Sequence, residues 1–397
     1  MIVVRAPFRL PLGGGGTDLP SYYRKHEGFL ITAAINKYMY ININEPAIVN
    51  KIKINYSKVE IIEIDKIDEL KHEIVRESLK YLKIKRPLEI SSMADLSAGT
   101  GMGSSSSYTV ALLQGLNSML RRHIPIKKLA EEACKVEIEL IGKPIGKQDQ
   151  YATAFGGIIQ LDIDRLGNVV VTPLTLDIEI IYELENRLMM FYTNIERDAN
   201  EILGEQGRRI AEEKADVSSQ RSVGSREGGG EQSTVTSDER RVKSVEFRVS
   251  CGEDDRESEI RNQPLKASLA KGGKSVEKTE NNAVEAMHRI KEIGYEVKEA
   301  LTKGDVCGFG RLLNEHWLVK KSVSTKMSNS QIDDWYELAM KNGALGGKVM
   351  GAGGGGFMLF CVDNGKRKHL RKTLENAGLR YMDFRFDWEG VKTLVNI

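Results

Sequence analysis

Three glycines and four consecutive serines stand directly ahead of an apolar run in the stretch DLSAGTGMGSSSSYTV, Asp95 to Val110. Glycine lets main chain approach a ligand with no Cβ in the way, and a helix start offers unpaired N–H groups and the positive end of a dipole. Together these make an anion site. Gly99, Gly101 and Gly103, followed by Ser104, Ser105 and Ser106, read as a phosphate cradle of backbone amides, with one hydroxyl placed to reach a magnesium ion bridging the phosphates. This is not a Walker loop, because GxxxxGK[ST] needs a lysine ahead of the Ser or Thr and none is present. Nor does any HRD or DFG element point to a protein kinase. Two more glycine clusters accompany the cradle, one in APFRLPLGGGGTDLP (Ala6 to Pro20) and one in GAGGGG (Gly351 to Gly356).

The elements that must position these clusters follow from periodicity. The first half is strand-rich: IVVRA, then KYMYININ, where Met39, Ile41 and Ile43 alternate with Tyr40 and Asn42, then KIKINYS and VEIIEI. These predict a sheet with one covered face. From Tyr108 the period changes, since Tyr108, Leu112, Leu116 and Leu120 repeat every four residues as far as about Arg122, which puts Ser104 to Ser107 at the start of a helix. A second helix is expected over IKKLAEEACKVEIELIG, then the loop KPIGKQDQYATAFGG, and then a hairpin of IIQLDI and NVVVTPL turning through Leu166, Gly167 and Asn168. After the strand RLMMFY the chain turns helical, with Val284, Met287, Ile290, Val297 and Leu301 on one stripe, followed by FGRLLNEHWLVKK and QIDDWYELAMKNG. It closes with a glycine-rich turn entering a buried strand (GGKVMGAGGGGFMLFCV), a helix (RKHLRKTLENAG) and a final strand (RYMDFRF). The fold class is therefore α+β.

One segment differs. From about 207 to 274 the chain is rich in Ser, Arg, Glu and Gly and nearly devoid of large apolar residues, so it reads as an inserted, mostly disordered loop that cannot offset its ordering entropy. The whole chain of 397 residues is long enough for two medium domains. Its 41% apolar and 29% charged residues are ordinary for a globular protein, and a net charge of +2 makes no electrostatic case for nucleic acid. The four cysteines, Cys134, Cys251, Cys307 and Cys361, are far apart with no CxxC pair, so reduced thiols are expected and a zinc site is not. Arg5 interrupts the first residues too early for a signal-peptide core, and no apolar run reaches the roughly 18 to 20 residues of a membrane span, so a cytoplasmic protein is expected.

The three glycine motifs, in this order and at these places, resemble those of the GHMP kinase superfamily of galactokinase, homoserine kinase, mevalonate kinase and phosphomevalonate kinase. The resemblance spans the chain except the segment at about 207 to 274. Within the superfamily, RAPFRLPLGGGGTDLPSYY, GTGMGSSSS, GKPIGKQDQYATAFGG and NEHWLVKKS look most like the D-glycero-D-manno-heptose 7-phosphate kinases. Ser97 stands where that family usually has Pro, and Met102 replaces its common Leu; neither position supplies a charge or a required positive φ. The resemblance implies a two-domain kinase, with a ribosomal-protein-S5-like domain over 1–190 and a ferredoxin-like domain over 191–397, interrupted by the insert. It implies ATP and magnesium as cofactors, and transfer of the γ-phosphoryl group to the anomeric hydroxyl of a sugar phosphate.

Residue roles follow from the same likeness. Asp149 corresponds to the family's catalytic aspartate, and Arg9 to the basic residue that would hold it and help stabilise charge on the reacting oxygens. Glu137 would give magnesium its carboxylate, with Ser105 as hydroxyl ligand and Glu139 as the alternative. Asp18, nine residues after Arg9, is the expected sugar-hydroxyl ligand, and Gly14, Gly15, Gly16 and Thr17 would let backbone lie against the sugar. Gly351, Gly353, Gly354 and Gly355 would close over the site and support the phosphate loop. For the substrate's own phosphate the candidates are Lys147 first, then Lys143, Arg24 and Lys25. His316 and Trp317 read as core, without a catalytic role. Two rival readings remain open, a kinase for another sugar such as galactose or fucose and a sugar and nucleotide sensor that has lost chemistry. Oligomeric state is not legible.

Overall fold

The computed structural model describes residues 1–195, 199–211 and 277–397. Residues 196–198 and 212–276 lie outside the described residues, and with them Cys251 and nearly all of the expected insert. The described residues belong to one compact unit, Met1–Glu213 with Val276–Ile397.

A mixed sheet is built from β1 (Ile2–Gly13), β2 (Gly28–Asn44), β3 (Lys51–Asn55), β4 (Val59–Glu63), β5 (Leu88–Ala94), β6 (Ile158–Ile163) and β7 (Val169–Pro173). A second, antiparallel sheet has β8 (Leu188–Tyr192), β9 (Ala344–Val349), β10 (Phe357–Val362) and β11 (Arg380–Met382), in the order β11-β8-β10-β9. The last strand, β12 (Lys392–Asn396), returns to the first sheet and pairs antiparallel with β1. The helices are α1 (Pro20–His26), α2 (Glu73–Tyr81), α3 (Ser104–Met119), α4 (Ile126–Cys134), α5 (Gln148–Phe155) and α6 (Ile178–Arg187). After them come α7 (Ala199–Ala211), α8 (Glu277–Thr302), α9 (Val306–Val323), α10 (Ser330–Lys341) and α11 (Arg367–Asn376).

The expected strand KYMYININ is the second half of the longer β2, whose 17 residues pair with β6 near its start and β5 near its end. Length lets one strand serve both ends of the sheet. β1 is buried throughout from Ala6 onward, because β2 pairs along its length and α3, α5 and α8 pack against it; Phe8, Leu10 and Leu12 enter the core.

Three expectations need correcting. The helix expected over IKKLAEEACKVEIELIG is α-helical only to Cys134 and then widens into a π-helix over Lys135–Leu140. Within it Glu137 is fully buried and Glu139, two residues on and facing the other way, is exposed. The final strand RYMDFRF shrinks to three residues, and the true last strand lies ten residues on, where the short alternation of KTLVN completes the edge beside β1. Residues 207–211, read as the start of the insert, are the last turns of α7, with Ile210 buried beside Tyr22 and Met287. Helices α1, α2 and α6 were not anticipated, and α5 forms inside the stretch read as the loop KPIGKQDQYATAFGG; all four are short segments whose formation depends on packing more than on local pattern.

Candidate active site

Arg9 sits on β1 at the position where the strand passes the start of α3, and it is only 5% exposed. Its Nε and Nη2 donate to the two carboxylate oxygens of Asp149 at 2.6 and 2.8 Å, and Nη1 donates to Gly101 O at 2.7 Å. A two-pronged grip of this kind fixes the carboxylate in both position and plane. Asp149 lies in the first turn of α5, where the helix dipole favours an anion. Gly103 caps α3 with φ of +80°, and a Cβ there would lie 3.0 Å from Asp149 Oδ2. The phosphate-loop glycine thus makes room for the carboxylate.

In the first turn of α3, the Ser105 hydroxyl donates to Glu137 Oε1. Lys143 Nζ donates to the same hydroxyl and to Glu137 Oε1, the latter at 3.1 Å, while Gln150 Nε2 donates to Oε2 at 2.8 Å. Glu137 is 0% exposed, and every one of these partners fixes its orientation. A hydroxyl and a carboxylate oxygen converge here, with a lysine ammonium already lying on both. That donor chemistry fits a hard divalent cation held by few protein oxygens.

Two cavities meet at Asp149. One runs along the phosphate loop past Gly99, Gly101, Ser104 and Ser105 to an aromatic end at Tyr56, His72 and Tyr108. There the His72 and Tyr108 rings stack at 4.8 Å, Tyr56 stands edge-on to His72 at 4.7 Å, and burial lowers the His72 pKa. The other holds Gly15, Gly16, Asp18 and Gln148 on one side and His316, Lys320 and Lys348 on another. Both are lined by Arg9, Asp149, Ile145, Leu203, Gly351 and Ala352. An aspartate on a shared wall can address groups arriving from either side.

Asp18 is buried in the second cavity, and desolvation raises its pKa against the opposing pull of N–H groups from Gln148 at 3.0 Å and Gly16 at 3.1 Å. Gly146 closes over it, since a Cβ there would come within 1.9 Å of Asp18 Oδ2. Gly351, with φ of +65°, approaches Gly101 so closely that a Cβ would sit 2.7 Å from its carbonyl oxygen. The third glycine cluster therefore rests directly on the phosphate loop.

The structure brings Arg9, Asp149, Asp18, Gly15, Gly16, Ser105, Glu137 and Gly351 around these cavities, together with Ser104 and Ser106. Other expected residues lie elsewhere. Met102 is buried, and it contributes its carbonyl, which accepts from Arg9 N–H at 3.3 Å. The Thr17 hydroxyl donates to Gly14 O and Phe29 O and accepts from Phe29 N–H, so it ties the glycine turn to β2 and does not face the cavity. Gly14 has no room for a Cβ against Phe29 O, and it too is part of that turn. Gly353 and Gly354 pack on Met327, and Gly355 on Ile195. Lys147 lies over the Tyr23 ring, donates to Gly167 O and lines a separate cavity with Arg24, while Lys143 is committed to Ser105 and Glu137. None of Lys143, Lys147, Arg24 and Lys25 lines the cavity of Asp18.

Sequence reasoning missed His316, Lys320, Lys348, Gln148 and Gln206, which do line it. Trp317 is core as expected, but its neighbour His316 is not merely so. A signal existed for Lys348, a lone charge inside the otherwise apolar and glycine strand ALGGKV.

Comparison with known proteins fits this geometry. The family model for the GHMP kinases N terminal domain matches residues 70–157, and that for GHMP kinases C terminal matches 297–378. A D-glycero-alpha-D-manno-heptose 7-phosphate kinase of Campylobacter jejuni is 28% identical, over 99% of this chain and 98% of its own. A galactokinase of Pyrococcus furiosus is 26% identical over 98% and 95%. Among solved structures, a D-glycero-D-manno-heptose 1-phosphate kinase from Bacteriodes thetaiotaomicron superposes with a TM-score of 0.68 at 23% identity, covering 100% and 99% of the two chains. The chain carries the N- and C-terminal domains of the GHMP kinases and is, like its relatives, an ATP-dependent phosphotransferase.

Proposed function

We propose that the chain transfers the γ-phosphoryl group of ATP to the anomeric hydroxyl of D-glycero-D-manno-heptose 7-phosphate, giving the 1,7-bisphosphate and ADP. The observation that carries this reading is the placement of Asp149 on the wall shared by the two cavities, gripped by Arg9. The full-length likeness to a heptose 7-phosphate kinase supports the choice of acceptor over that of a galactokinase.

Phosphoryl transfer needs positioning and charge stabilisation more than covalent help. The phosphate loop and the start of α3 hold the nucleotide phosphates with backbone N–H groups, and the stacked His72 and Tyr108 bound the cavity at its far end. Asp18 accepts a hydrogen bond from a sugar hydroxyl, and the Gly15–Gly16 backbone lies against the ring. Asp149 accepts the proton of the attacking hydroxyl, and Arg9 keeps the carboxylate aimed while its charge stabilises the developing negative oxygens. When bound, magnesium supplies charge neutralisation across the phosphates, with Ser105 Oγ and the Glu137 carboxylate as the residues to hold it. Residues 1–190 and 191–397 serve as N- and C-terminal kinase domains, and a cytoplasmic setting suits a chain that consumes ATP; no helix of the described residues is long and apolar enough to cross a membrane.

The test is ADP release with magnesium and ATP across heptose 7-phosphate, free heptose, galactose and fucose. Selective turnover of heptose 7-phosphate is expected. Preferred turnover of a free sugar would discard the acceptor while keeping the catalytic roles, and nucleotide binding without turnover of any of them would favour a sensor.

A further inference from the structure

Lys348 and His316 are each only 2% exposed, and both line the cavity of Asp18. Lys348 Nζ donates to Leu12 O at 3.2 Å, and among the described residues it has no carboxylate partner. Both ring nitrogens of His316 lack a hydrogen-bond partner. Lys320 lines the same wall and donates to Gly351 O at 2.6 Å. The cavity's two carboxylates are engaged elsewhere, Asp149 by Arg9 and Asp18 by the N–H groups of Gly16 and Gln148.

A buried ammonium with one carbonyl acceptor, beside a second ammonium and an unpartnered imidazole, is costly unless an anion completes it. Burial and the neighbouring cations Lys320 and Arg9 push the Lys348 pKa down, and burial with Lys348 and Lys320 does the same to His316. Those directions agree with a Lys348–His316 pair lacking its counter-charge. A hydroxyl-rich free sugar offers no such charge, whereas a phosphate monoester supplies two negative charges and three acceptor oxygens.

We propose that Lys348 and His316, with Lys320 beside them, form a subsite for the phosphate that the acceptor already carries, and that this subsite selects a sugar monophosphate over the free sugar. The assignment deepens the reading of the acceptor given above and rests on it. A site built to bind one polar group discriminates strongly against the analogue lacking it, because its own buried groups are then left unmatched.

The experiment compares kcat/KM for heptose 7-phosphate and for free heptose in the full chain and in the K348M and H316F variants, with nucleotide Kd as the folding control. Inorganic phosphate binding to the nucleotide-loaded protein, followed by 31P NMR line width, is measured alongside. The expected result is a preference for the phosphorylated acceptor that falls by about tenfold or more in K348M and by less in H316F. The change should lie chiefly in the acceptor KM, with inorganic phosphate binding weakened in K348M. Equal effects of K348M on both acceptors, or phosphate binding indifferent to K348M, would overturn the subsite even where heptose 7-phosphate is the substrate. If the wild-type chain instead ignores heptose 7-phosphate yet binds inorganic phosphate in a Lys348-dependent way, the subsite stands and the heptose assignment fails.

Discussion

The two cavities that meet at Asp149 are built on opposite electrostatic plans. Along the phosphate loop the side chains that would do chemistry already hold one another: Arg9 grips Asp149, and Glu137 is met by Ser105, Lys143 and Gln150. On the acceptor side, Lys348 has only a backbone carbonyl, His316 has nothing, and Asp18 is buried at the expense of its ionised form. The first region is pre-organised and complete. The second is a set of polar groups whose partners arrive with a substrate, so discrimination between acceptors belongs there.

The largest effect expected on this contrast is at its shared wall. Asp149→Asn should lower kcat for ADP release by about 10²- to 10⁴-fold while nucleotide still binds; unchanged turnover would remove Asp149 from the mechanism. Next, Glu137→Ala should destabilise the fold by about 3 kcal/mol, because it strands Lys143 and Gln150 around a buried gap, and should raise the magnesium concentration needed for turnover. Thermal unfolding and a magnesium titration read the two effects separately. Gly103→Ala should cost about 1 to 3 kcal/mol and impair turnover, since its Cβ would press on Asp149 Oδ2 as well as straining a φ of +80°. Gly365→Ala has nearly the same φ, +79°, with open space around it, so it should lose stability without losing activity.

The smallest effect is a pH signature of the incomplete region. Burial raises the Asp18 pKa above its ordinary 3.8, so the folded state binds that proton more tightly than the unfolded chain does. The contribution of Asp18 to stability is therefore fully present below 3.8 and is lost as pH rises through the raised folded value. Asp18→Asn, which has no charge to bury, should melt higher than wild type at pH 7, and the gain should shrink as pH falls toward 4. A gain independent of pH would mean that Asp18 is not held against its charge.

The complete region was the legible one. Glycines before a serine run predict a close-approach loop at a helix start, and Arg9, Asp149 and Glu137 sit inside motifs whose family resemblance implies their roles and whose side chains the fold brings together as Arg9–Asp149 and Ser105–Glu137. The acceptor side was read from single residues and fared differently. Lys147 was favoured for its nearness in sequence to Asp149, yet a two-residue offset at the start of α5 sends its side chain to Gly167 and Tyr23. Lys348 and His316 come from β9 and α9, some 200 and 170 residues beyond Asp18's other neighbours at 146–149, and only the tertiary fold places them together. Glu137 was preferred over Glu139 from the sequence, but the π-helix that carries them has no hydrophobic period to signal it.

The most direct test of the central claim is the identity of the product. With magnesium, ATP and D-glycero-D-manno-heptose 7-phosphate, the account predicts a new 31P resonance coupled to the anomeric proton, appearing in step with ADP while the 7-phosphate signal persists. Transfer to any other hydroxyl, or ATP consumption without a sugar bisphosphate, would contradict it.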